Sequence, residues 1–115
     1  MTHTETYLKA AEVIRANGHY KGAYFEPSPE SGVGIEFGAA ESPVCTVGAL
    51  CVAVIGFPVP TCDEVDPVIV DFASRMFGPV NEAAAVVRIA AWNDDPERTP
   101  EDVIAAFEQA AREAA

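Results

Sequence analysis

Three residues of this sequence are of the types that act together in cysteine-dependent hydrolases and acyltransferases: Cys45, His19 and Asn93. In such enzymes a thiolate attacks an acyl carbon, an imidazole moves the proton, and an amide orients the imidazole. Cys45 lies near a predicted helix start, where unpaired backbone N–H groups lower the pKa of a thiol. One hypothesis is therefore a small cysteine-dependent hydrolase or acyltransferase that uses Cys45.

The same region also has a structural interpretation, which we favour. Buried cysteine is common in protein cores, and no flanking signature of a known cysteine enzyme surrounds Cys45. Trp92 should pack into the core, and the side chains after it should close a turn by hydrogen bonds. Trp92→Ala would then cost roughly 3–5 kcal/mol and Asn93→Ala roughly 1–2 kcal/mol. We expect no catalytic residue, and a structural motif made of Cys45, Gly48, Ala49, Trp92, Asn93 and Asp94.

The sequence contains neither the usual motif of a structural zinc site nor that of a phosphate-binding loop. Structural zinc sites draw on closely spaced pairs of cysteine or histidine, and the sequence has no such pair among Cys45, Cys51, Cys62, His3 and His19. The glycine-rich stretches lack the Lys-Ser/Thr of a phosphate-binding loop. We expect neither a metal nor a cofactor.

The charge of the chain restricts its partners. Among 115 residues, 7 Lys+Arg stand against 18 Asp+Glu, and the formal net charge is −11. The basic residues are too sparse to bind nucleic acid, and an anionic membrane would repel this chain. We therefore expect a basic protein partner, whose identity and whose stoichiometry the sequence does not specify.

Cellular location is predicted from the cysteines and the N-terminal segment. An odd number of cysteines outside any regular framework is typical of reduced thiols in the cytosol. Glu5, Lys9, Glu12 and Arg15 interrupt the segment where a signal peptide needs an apolar run. We expect a cytoplasmic protein.

The elements that must position these residues are mostly helices. Thr2 begins an amphipathic helix that ends at Asn17-Gly18. Ser42 is predicted to cap a second, nearly chargeless helix over residues 44–55, and a third helix begins at Asp66. A fourth, over residues 80–92, is apolar enough to be largely buried, and Thr99 caps a fifth.

Between the first two helices the composition changes to glycine, proline, serine and aromatic residues. Residues 23–26 and 34–37 are candidate strands on either side of a turn. The predicted fold is a single, mainly α domain over residues 1–115, with about five helices and a short β-hairpin.

Several of these residues carry a resemblance to a family. The Cys45-x-x-Gly48-Ala49 and Trp92-Asn93-Asp94 motifs, with the helix that Thr99 begins, resemble a family of small uncharacterised proteins from actinobacteria and their phages. The resemblance covers most of the chain and implies a mostly helical fold, but it implies no catalytic residue. The chain departs from that family at His19, where an aromatic residue is more usual, and in its longer segment between Glu26 and Ser42.

Charge, composition and motifs together favour a non-enzymatic, acidic protein-interaction or regulatory module. The resemblance implies that the protein comes from an actinobacterium or from one of its phages, and a phage-encoded module of this kind would act on a host protein. The hydrolase hypothesis differs from this one in a single geometric requirement: Cys45, His19 and Asn93 must meet in an open cleft.

Overall fold

Five helices make up the regular structure of residues 1–26 and 41–115, which the computed structural model describes. They are α1 (His3–Asn17), α2 (Thr46–Ile55), α3 (Asp66–Phe77), α4 (Glu82–Asn93) and α5 (Pro100–Ala114). The predicted mainly helical architecture is therefore confirmed. The turn and the second strand of the predicted hairpin fall within residues 27–40 and lie outside the described residues.

α1 and α5 pack against each other although they lie at opposite ends of the sequence. α1 buries the apolar stripe that begins at Tyr7, and α5 buries the stripe that contains Phe107. At one end of the interface the Thr4 hydroxyl donates to the Ala111 carbonyl at 3.2 Å. Elsewhere Arg15 pairs with Glu108 at 2.9 Å. Thr99 caps α5 as predicted, and the structure adds a full capping box in which Asp102 takes part.

A shared carboxylate connects α1 to α3. Asp71 Oδ2 accepts hydrogen bonds from the Tyr7 hydroxyl and from Arg75 Nε, the latter at 2.8 Å, and lies 3.2 Å from His3 Nδ1. Burial alone would raise the pKa of Asp71, but the bonds from Arg75 and Tyr7 lower it overall. Burial, with the bond to Asp71, raises the pKa of the Tyr7 phenol. The carboxylate thus stays charged and keeps the two helices together.

α2 is the central helix, and it begins later than predicted. Its first turn starts at Thr46, and Cys45, not Ser42, is the N-cap. The preceding residues are extended because they pair with the backbone of the segment after α1: Val44 N–H donates to the Gly18 carbonyl at 3.1 Å, and Tyr20 N–H donates to the Val44 carbonyl at 2.9 Å. Non-local backbone pairing therefore overrides the local capping signal at Ser42.

α2 has 10 residues and ends at Gly56, whose φ of 74° is left-handed. It is the most apolar of the helices and is buried over most of its length. Within residues 1–26 and 41–115, no helix has the length and apolar character needed to cross a membrane.

The prediction that α4 is largely buried is wrong. α4 begins after an Asn81 cap and buries only Ala85, Ile89 and Asn93, while Val87 is 66% exposed. Alanine and valine make the helix apolar, but no other described element covers its outer half. The apolar composition of a helix therefore does not by itself predict that the helix is buried.

Gly48 allows the segment after α1 to approach α2. A Cβ atom at this position would lie 2.3 Å from the Tyr24 carbonyl oxygen, which accepts the Cys45 N–H at 2.9 Å. Alanine favours a helix over glycine by about 1 kcal/mol. The backbone clash outweighs that gain, because Tyr24 cannot move without losing its bond to Cys45.

We therefore expect Gly48→Ala to lower the free energy of unfolding by roughly 1–3 kcal/mol. Chemical denaturation measures the change. Ala105→Gly, at an exposed position in the middle of α5, calibrates the propensity scale and should cost about 1 kcal/mol. An unchanged or increased stability for Gly48→Ala would show that the close approach is not a constraint.

Candidate functional site

The side chain of Asn93 joins three parts of the chain. It lies at the end of α4 and is only 1% exposed. Its Oδ1 accepts hydrogen bonds from the Thr46 N–H at 2.9 Å and the Thr46 hydroxyl at 2.7 Å, and lies 2.7 Å from His19 Nε2. Its Nδ2 donates to the Tyr20 carbonyl and to Asp94 Oδ1, each at 3.0 Å. The amide therefore connects α4 to the start of α2 and to the segment after α1.

These partners fix the orientation of the amide and the tautomer of the histidine. A backbone N–H can only donate, so the oxygen of Asn93 faces Thr46 and its NH₂ group faces Tyr20. His19 must then donate through Nε2 to reach that oxygen. In the neutral imidazole, Nδ1 is the unprotonated nitrogen.

Local sequence explains why the three parts meet. Gly18 ends α1 with a φ of 98°, and the chain then runs beside Val44, with which His19 and Phe25 form isolated β-bridges. Further along, the Gly22 N–H donates to Asp94 Oδ1 at 3.0 Å. Asp94 thus closes the end of α4 and holds the segment after α1 against it.

Cys45 is a capping residue with a neutral thiol. Its Sγ accepts the Gly48 N–H at 3.3 Å, and the residue is 5% exposed. Burial raises the pKa of this thiol, and the amides of Gly48 and Val47 offset only part of the rise. The lowered pKa that the hydrolase hypothesis needs at Cys45 is therefore not what this environment produces. The helix start does act on the sulfur as predicted, but desolvation has the larger effect.

A cavity of about 180 Å³ lies beside Cys45 and Asn93. Buried residues, Cys45, Val47 and Asn93, form its floor, while exposed residues lie at its mouth. The lining is mostly apolar and consists of Gly22, Ala23, Tyr24, Cys45, Val47, Val86, Ala90, Asn93 and Asp94. The cavity is therefore an apolar recess with a carboxylate at its opening.

The fold brings together most of the residues that the sequence singled out. His19 contacts Asn93 directly, and Cys45 lies in the same cavity as Asn93. Within the described part of the chain, however, no hydrogen bond joins Cys45 to His19. The base and the thiol of the hydrolase hypothesis are thus near the same amide but not in contact.

Trp92 is less buried than predicted, and the site includes a residue that the sequence analysis did not single out. Trp92 packs against the core, but it is only half-buried and lies under the guanidinium of Arg98, whose Cζ is 4.1 Å from the ring centroid. Thr46, which supports the site, was missed. Its signal was weak: a threonine directly after Cys45 at a helix start.

No three histidine, cysteine, aspartate or glutamate side chains of residues 1–26 and 41–115 are grouped so that they could hold a metal ion. Burial raises the pKa of Cys51 to about 12, so this thiol is neutral at physiological pH as well. The chemistry that the site offers is therefore hydrogen bonding at its floor, apolar contact along its walls, and one exposed carboxylate.

The burial of these residues changes the expected order of two substitutions. We expect Asn93→Ala to cost roughly 3–4 kcal/mol, because it leaves the donors of Thr46 and the Tyr20 carbonyl without their partner. Trp92→Ala should cost about 2 kcal/mol, less than for a fully buried ring.

Denaturation of both variants beside wild type tests this order. Asn81→Ala is the control, since it removes an asparagine that caps α4 on the surface and should cost about 1 kcal/mol. If Asn93→Ala were no more destabilising than Asn81→Ala, the amide would not hold the three segments together.

Comparisons with known proteins leave the activity open. A search of curated proteins and a search of solved structures gave no match. A family model described as a family of unknown function, DUF6197, matches residues 1–113. The match spans nearly the whole chain, including the structural motif and the cavity. The chain belongs to this family.

Proposed function

We propose that the protein is a non-enzymatic interaction module that binds a basic, amphipathic segment of a partner protein along the outer face of α4. The observation that carries the proposal is the exposure of an apolar helix face that ends at an acidic turn. Val87 at the centre of this face is 66% exposed. A single exposed apolar side chain is ordinary, but a contiguous exposed apolar strip bordered by polar residues marks an interaction surface.

Two apolar rows run along the exposed half of α4. One row consists of Ala83, Val87 and Ala91, all exposed. The other consists of Val86 and Ala90, which line the cavity. Residues four positions apart lie on one face of a helix, so each row is a continuous strip. We refer to the two rows together as the α4 face.

The C-terminal end of the α4 face is acidic. Asp94, Asp95 and Glu97 are all exposed there. Lys21 and Arg98 lie nearby, but Lys21 Nζ is held by the carbonyls of Asp95 and Pro96, and Arg98 lies over Trp92. The negative end of the helix dipole adds to the field of the carboxylates. Basic side chains of a partner are therefore favoured at this end.

A second copy of this chain is a poor occupant of the α4 face. Each copy carries a net charge of −11, and an antiparallel pairing of two α4 helices would bring Glu82 of one copy toward the acidic turn of the other. Like charges at an interface are costly. Charge complementarity favours a basic partner, and we propose that the two proteins meet in the cytoplasm.

The origin implied by the sequence resemblance fits the same proposal. A protein encoded by an actinobacterium or by one of its phages would meet a host protein. The three cysteines are free thiols, consistent with the reducing cytoplasm that we propose.

Val87→Asp tests the α4 face without touching the cavity. We expect it to abolish capture of a partner from host lysate, because it places a charge at the centre of the apolar strip. Leu8→Asp is the matched control: Leu8 is an exposed apolar residue on α1, 47% exposed, and the charge change is the same. A captured protein counts as a specific partner only if the Leu8→Asp variant still captures it.

For such a partner, association should also slow as salt is added, since surface charge mainly accelerates encounter. Capture that is identical for the two variants, or an association rate indifferent to salt, would contradict the proposal.

Cysteine-dependent hydrolysis or acyl transfer is the second candidate function, and one observation favours it. His19 and Asn93 form the oriented pair that this chemistry requires, and Cys45 lies in the same cavity as Asn93. In this candidate Nδ1 of His19 would take the proton of Cys45. The raised pKa of the thiol opposes it.

Alkylation with iodoacetamide across pH, mapped by mass spectrometry, separates the two candidates. We expect exposed Cys62 to react first and Cys45 only slowly, with a rate that rises as the pH increases toward its raised pKa. The enzyme candidate requires the opposite: Cys45 reacts faster than Cys62 at neutral pH, and His19→Ala removes that advantage.

A further inference from the structure

We propose that the cavity beside α4 is a binding site for a short aliphatic amine, held with its alkyl chain inside and its ammonium group at Asp94. The inference concerns the recess itself and does not depend on a protein partner. The proposal rests on which groups, apolar or polar, line the floor, the walls and the mouth of this cavity.

The walls suit an alkyl chain. Tyr24, Val86 and Ala90 surround the space with apolar surface, and Val47 adds to it from the floor. The cavity measures about 180 Å³, and an apolar cavity of about 150 Å³ is large enough to hold benzene. A chain of about five carbon atoms therefore fits.

The floor does not accept a charged group. Asn93 Oδ1 already has three hydrogen-bond partners, and the Cys45 sulfur receives the Gly48 N–H. An ammonium ion placed there would lose its hydration without gaining an acceptor, which is costly. The charged end of a ligand must therefore stay at the mouth.

The mouth is selective for a cation. Asp94 is exposed, and its Oδ1 accepts hydrogen bonds from Gly22 and Asn93. Among the described residues, no group bonds to its Oδ2. The end of α4 and the net charge of −11 add to the negative potential at this point. A ligand with a carboxylate head would be repelled.

A titration of the ¹⁵N-labelled full chain with pentylammonium, monitored by NMR, tests the site. We expect saturable shifts at the amides of Gly22, Ala23 and Gly48, with a Kd on the order of millimolar for so small a ligand. Pentan-1-ol should bind roughly two- to fivefold more weakly, because it lacks the ion pair. Pentanoate should bind more weakly still.

Two matched variants separate the charge at Asp94 from the general acidity of the surface. Asp94→Asn keeps the acceptor for Gly22 and should reduce pentylammonium affinity to that of pentan-1-ol. Glu97→Gln removes an equal charge from a residue that does not line the cavity and should leave the affinity unchanged. Equal effects of the two variants would overturn the role of Asp94.

Filling the cavity tests the apolar part of the site. Val86→Phe should abolish binding of both pentylammonium and pentan-1-ol, and Ala90→Leu does the same if the first variant fails to fold. Pentylammonium shifts that persist in a folded, filled variant would mean that the amine binds only to surface carboxylates, and the proposal would be wrong.

Discussion

The amide oxygen of Asn93 is the point on which the arrangement of the described segments depends. Apolar contacts between helices are non-directional and tolerate small slides and rotations. An amide that receives donors from Thr46 and His19 does not, because each donor must meet the same atom. These bonds therefore fix the positions of α2, α4 and the segment after α1 relative to one another. The shapes of the cavity and of the α4 face depend on that arrangement.

Much of the fold could be predicted because its signals are local. Thr2, Thr99 and Gly18 act within one turn of the helix that they bound, so the helix order follows from the sequence. The start of α2 could not be predicted. There the backbone of Val44 bonds to partners about 25 positions away instead of forming a helical turn, and no local pattern encodes that choice.

α4 shows a different limit. A helix of alanine and valine satisfies the usual description of a core helix, yet burial depends on whether other elements cover it. The residues that would cover a helix lie far from it in the sequence. The sequence of α4 itself therefore does not show how much of its surface is covered. At the site, the residue types predicted which side chains lie together, but not which of them are in contact. His19 contacts Asn93, whereas the Cys45 sulfur accepts the Gly48 N–H.

The pairing of α1 with α5 has a consequence for the order of events during synthesis. The inner stripe of α1, which contains Tyr7 and Ile14, is completed as a core only when α5 supplies Phe107 and its neighbours. On the ribosome, α1 emerges long before its partner and stays without it for the translation of about eighty intervening residues. α2 and α3 are made first and can cover part of the stripe, but the part that faces α5 stays open to chaperones, and the complete core can form only after translation of α5.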